Sequence, residues 1–115
     1  NFSSYTPEQM KAGALPKFVT SSSSFGKCRS GEVKKLSFTF TNMGKETMKI
    51  YKMDSSEPGC TFKYPESVAP SAKGTIEVTI DTSKAKGEVL YVFSVITNAP
   101  ARPIVNLFVT GEIEN

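Results

Sequence analysis

The chain has 115 residues and a formal net charge of +3, with no histidine and two cysteines. A single domain of this size buries roughly two thirds of the surface its extended chain would expose, so its core needs neither a metal nor many disulfides. The missing histidine excludes His-based acid–base catalysis and Ser-His-Asp triads, and two cysteines are too few for a four-cysteine zinc site. The lysines are scattered rather than gathered into the basic patch that nucleic acid requires. No apolar run approaches the ~20 residues of a membrane span.

Residues 1–16 read differently from the rest. Thr6-Pro7-Glu8-Gln9 has the order of a helix start, with Thr6 as N-cap, Pro7 at the first helical position and Gln9 placed for a capping box. Gly13 and Pro16 end that helix early. Phe2, Tyr5, Met10 and Leu15 are too many apolar anchors for a free tail, so the segment is expected to be a linker that docks on the domain formed by residues 17–115. The opening residues lack the basic-then-apolar layout of a secretion signal, so a signal, if there is one, is expected upstream or already removed.

From Lys17 onward apolar residues alternate with polar ones, the period of a half-buried strand. The spacing predicts strands from Lys17 to Phe25, Val33 to Thr41, Met48 to Met53, Thr61 to Tyr64, Thr75 to Ile80, Val89 to Thr97 and Ile104 to Gly111. Turn residues separate each pair. About seven short strands at this spacing make an all-β, immunoglobulin-like antiparallel sandwich, and the absence of tryptophan sets it apart from antibody domains. The serine run Ser21 to Ser24 marks the first strand as an edge. Asn42-Met43-Gly44-Lys45 reads as a hairpin turn in which Gly44 takes the left-handed conformation.

Phe25-Gly26, Ser30-Gly31-Glu32, Phe38-Thr39-Phe40-Thr41-Asn42 with Gly44-Lys45, Gly59-Cys60-Thr61, Ala69-Pro70, Gly74-Thr75-Ile76, Thr97-Asn98 and Gly111-Glu112 follow one another in that order. Over about residues 17 to 114 this series resembles the bacterial domain of unknown function 1573 family. The resemblance implies an immunoglobulin-like fold distantly similar to major-sperm-protein modules. It also implies export in Bacteroidetes, often beside further sandwich domains, and brings no catalytic role and no cofactor. Pro58-Gly59-Cys60 stands where the family usually has Cys-Gly-Cys, so properties that need both cysteines do not carry over.

An up-and-down order of strands places Cys28 and Cys60 at the same end of the sandwich. A bond between them would close a loop of roughly 33 residues and stabilise the fold by roughly 3 to 4 kcal/mol in the chain-entropy model. Two free thiols are the other reading, because loops at one end can still lie beyond bonding distance. Asp54, Glu57 and Asp81 approach the same end, but they lack the spacing of a calcium loop and read as turn carboxylates.

The two last strands carry an anomaly. If Phe93 faces Leu107 and Val95 faces Val105 in the core, then Val92 meets Phe108 and Ile96 meets Ile104 on the outer face, with Leu90 nearby. Outer faces of antiparallel sheets are normally polar, so this is a candidate contact face for the N-terminal segment, a neighbouring domain or a protein partner. The function expected is a non-catalytic interaction or spacer module of an exported or cell-envelope protein, placed in the periplasm, at the cell surface or in the medium. A glycan-binding module comes second. Sugar sites favour exposed Trp or Tyr, and only Tyr5, Tyr51, Tyr64 and Tyr91 are available.

Overall fold

The computed structural model describes residues 13–114, and the expected helix at Thr6 to Gln9 lies outside the described residues. Among the described residues nine strands follow in chain order: β1 (Pro16–Phe18), β2 (Ser22–Arg29), β3 (Val33–Asn42), β4 (Met48–Ser55), β5 (Cys60–Lys63), β6 (Ser67–Val68), β7 (Lys73–Asp81), β8 (Gly87–Thr97) and β9 (Ile104–Glu114). They form two layers, a four-stranded sheet ordered β1-β3-β7-β5 and a five-stranded sheet ordered β2-β9-β8-β4-β6. The fold is an all-β, immunoglobulin-like sandwich.

Its core is the alternate side chains of the central strands. Phe38, Phe40, Ile76, Val78 and Ile80 point inward from one sheet and Tyr91, Phe93, Val95, Val105, Leu107 and Val109 from the other, all essentially without solvent contact. Each such side chain contributes about 1.5–3 kcal/mol relative to exposure. Aromatic geometry adds to this, with the Phe62 and Phe93 rings edge to face at 5.3 Å across the sheets.

Topology departs from the expected up-and-down order. β3 pairs with β1 and β7 while β4 pairs with β8 and β6, so Asn42 to Lys45 carries the chain between sheets and is not a hairpin turn. Gly44 also lacks a positive φ. Glycine is required there for close approach instead, since a Cβ would lie 2.8 Å from Ala14 Cα and against the Gly13 carbonyl.

The strand expected from Lys17 to Phe25 is two strands in different sheets. Thr20 causes the break, its hydroxyl accepting from Ser22 N and donating to Ser22 O, and this local turn swings the chain from one layer to the other. β2 then runs parallel to β9 and continues through Cys28, which therefore sits in a strand and not in a turn.

The lead-in at 13–16 is tied down. Ala14 is buried, and Leu15 exchanges hydrogen bonds with the end of β3 through Asn42 Oδ1 and Met43 N.

One buried polar atom is left over. The Tyr91 hydroxyl has no hydrogen-bond partner among the described residues, and burial pushes its pKa up. Tyr91→Phe keeps the ring, which stacks on Phe93 at 6.1 Å, and removes the unsatisfied group. Urea unfolding should show it more stable than the parent by about 1 kcal/mol.

Candidate functional site

The face outside β8 and β9 follows from their register. Phe93 pairs with Leu107 and Val95 with Val105, as the inner-face pattern predicts, and so Val92 meets Phe108 and Ile96 meets Ile104 outside. Leu90 is 54% exposed, Ile104 58% and Phe108 38%, while Val92 and Ile96 are half-buried by their neighbours.

The face is not one continuous apolar surface. Between its two apolar rungs lies a polar one, Ser94 donating to Asn106 Oδ1 at 3.2 Å. The alternation of β8 and β9 contains this rung, which a reading centred on large apolar residues passes over.

Around these rungs the surface is hydrophilic. Ser22 and Ser24 of β2 flank Phe108 and Thr110 on one side, and Lys52 and Asp54 of β4 flank Ile96 and Ser94 on the other. Lys52 and Asp54 pair at 3.5 Å in solvent, an ion pair of little net worth. The outer face is therefore two apolar rungs on either side of a polar one, set in a hydrophilic surround.

The strand edges offer less. β1, β5 and β6 are short, and Pro65 follows β5 closely. β2, the longest edge, is bulged between Ser24 and Lys27, with Gly26 at φ +72°. Short, proline-flanked or bulged edges resist pairing with another strand.

The cysteines stand apart from this face. Cys28 lies opposite Ile113 on β2, and Cys60 lies opposite Ile80 on β5. Both are near the expected end, where Thr82 Oγ1 donates to the Glu32 carbonyl at 2.6 Å and Asp81 N donates to the Gly59 carbonyl at 2.8 Å. They belong to edge strands of different sheets, and both are free thiols in the structure. Burial raises the Cys60 pKa, which disfavours the reactive thiolate.

Nor do the acids of this end converge. Asp81 caps a single 3-10 turn (Thr82–Lys84), its Oδ1 accepting from Ser83 Oγ at 2.7 Å and Ser83 N at 3.0 Å. Among the described residues no three His, Cys, Asp or Glu side chains gather into a metal-binding group.

Two carboxylates are nonetheless shifted. The Ser83 hydroxyl and amide hold Asp81 below its ordinary pKa, and the Arg29 amide, assisted by Lys34, does the same for Glu32. A depressed folded-state pKa contributes stability that is fully present above the unfolded value, about 4, and is lost as pH falls through the folded value. Thermal melts should therefore show a decline beginning below about pH 4.5, and Asp81→Asn should make that decline shallower.

A family model described as a protein of unknown function, DUF1573, matches residues 16–113. The chain belongs to the DUF1573 family. No curated protein matches it.

Among solved structures, this DUF1573 chain is similar to a protein of unknown function from Porphyromonas gingivalis W83, with a TM-score of 0.79 and 18% identity over 97% of this chain and 51% of that one. It thus spans about half the length of that protein. The PapD-like domain 7 of human CEP192 aligns with a TM-score of 0.67 and 15% identity, covering 96% of this chain and 91% of that one. The periplasmic chaperone SfaE aligns with a TM-score of 0.58 and 11% identity, covering 88% and 59%. At these identities the likeness is one of fold. No helix among the described residues is long and apolar enough to cross a membrane.

Proposed function

We propose that this DUF1573 domain is a non-catalytic interaction module of an exported bacterial protein, and that the outer β8–β9 face docks a neighbouring domain of the same gene product. The observation that carries the reading is the pair of outward-facing apolar rungs, Val92–Phe108 and Ile96–Ile104, inside a hydrophilic rim. The Porphyromonas protein, about twice as long as the matched region, supports a multidomain context. The likeness to a periplasmic chaperone supports an extracytoplasmic setting. The absence of histidine from the whole chain supports a role without acid–base chemistry at neutral pH.

Hydrogen exchange on the intact gene product and on this domain alone tests the proposal. The intact protein should protect β8 and β9 beyond the isolated domain. Phe108→Lys should abolish that extra protection while lowering the stability of the isolated domain by no more than about 1 kcal/mol, the worth of its cross-strand pair with Val92. Equal protection in both contexts would defeat it.

A further inference from the structure

A second surface lies where the chain passes from β5 in one sheet to β6 in the other. β4 carries a bulge between Ile50 and Lys52, and Tyr51 is the extra residue, left out of the ladder with β8 and 62% exposed. A bulge of this kind re-aims a side chain. Tyr51 here walls an open cleft of about 500 Å³ that also includes Tyr64, Lys49 and Glu66. Part of its lining is held in place, because Tyr64 packs partly against the core and Ile50 N donates to the Glu66 carbonyl at 3.1 Å. A second cleft of about 350 Å³ shares Tyr64 with the first and has Lys63 and Glu77 in its lining.

We propose that this groove binds a neutral oligosaccharide. Of the four tyrosines, Tyr91 is fully buried and Tyr5 lies outside the described residues; Tyr51 is exposed and Tyr64 half-buried, and the fold brings these two to one cleft. Tyrosine rings supply apolar platforms for the C–H faces of sugar rings, and polar groups beside them fix orientation through the hydroxyls. Lys49 with Glu66 and Lys63 with Glu77 place one cation and one anion in each lobe, a balance that attracts neither polyanions nor polycations. Two lobes meeting at one shared tyrosine call for a ligand longer than a single sugar. The groove is separate from the outer β8–β9 face, so either proposal can fail without the other.

The test is a glycan array probed with the full 115-residue chain, followed by amide NMR titration with cellohexaose, xylohexaose, mannohexaose and any array hit. A hexaproline peptide is titrated in parallel. The expected result is saturable shifts at residues 49–51, 64 and 66 with at least one oligosaccharide, weakened tenfold or more by Tyr51→Ala. Tyr51 is exposed, so this variant should keep the parent's melting temperature, and the loss of binding would not reflect unfolding. Phe108→Lys should leave sugar binding unchanged. No array hit and no saturable shift, shifts elsewhere on the domain, binding indifferent to Tyr51→Ala, or shifts with hexaproline alone would each overturn the proposal.

Discussion

Asn42→Ala should destabilise the domain by about 4 kcal/mol, a large part of the 5–15 kcal/mol that holds a typical domain together. Asn42 is fully buried and uses all its hydrogen-bonding capacity. Its Oδ1 accepts from Leu15 N at 3.1 Å and Gly44 N at 3.0 Å, and its Nδ2 donates to the carbonyls of Glu46 at 2.8 Å and Val68 at 3.0 Å. One side chain therefore joins the lead-in, the end of β3, the crossover to β4 and the short strand β6. Alanine leaves four backbone groups without this partner, each worth about 1–3 kcal/mol where water cannot replace it. A melting point lower by about 15 °C is expected for a domain of this size.

Asn42→Asp separates hydrogen bonding from volume. It keeps the acceptor side but loses both donations and places a carboxylate where solvent is absent, which raises its folded-state pKa. Such a group destabilises increasingly as pH rises above the unfolded value near 4. The aspartate variant should therefore be least impaired near pH 4 and worst at neutrality. The alanine variant should show no such dependence beyond the parent's own. Parallel urea titrations at pH 4 and pH 7 provide the comparison.

Gly111→Val should cost about 3 kcal/mol, at the upper end of overpacking penalties. Gly111 pairs with Val89 in the β8–β9 ladder, and the Phe25 ring occupies the space into which its Cβ would project. The ring approaches to within 2.6 Å of that position even at its Cδ1 atom. Phe25 belongs to the bulged stretch of β2, where Gly26 takes the left-handed conformation. Phe25→Ala alone should also destabilise, through lost packing. In a double-mutant cycle the valine should cost much less in the Phe25→Ala background, because the vacated space receives it. Additive effects would mean that ring and glycine are not coupled.

The β8–β9 face was legible before any coordinates because an antiparallel hairpin has only two faces. Once Phe93 and Leu107 are assigned inward, Val92 and Phe108 have nowhere else to point. The polar rung of Ser94 and Asn106 obeys the same parity. What parity does not convey is exposure, which depends on neighbouring strands: Val92 and Ile96 are half-covered although Leu90 and Ile104 are open.

The groove at Tyr51 lies beyond pattern reading for a related reason. A bulge inserts one residue and shifts parity locally, and no alternation rule places it. The cysteines illustrate the same limit in three dimensions. Their shared end could be inferred, but the division of the first predicted strand between sheets, through the Thr20 turn, put Cys28 in an edge strand of the layer that does not contain Cys60.

Alternation of apolar residues with period two was sufficient to determine a two-layer β domain, its core from Phe38 to Val109, and the pairing of its last two strands, because side-chain direction in a strand is a local property. Which sheet each strand joined, why Gly44 and Gly111 must be glycine, and what Asn42 binds were decided only in the tertiary structure. Those features are contacts between residues far apart in the chain, and they exist only once the layers have met.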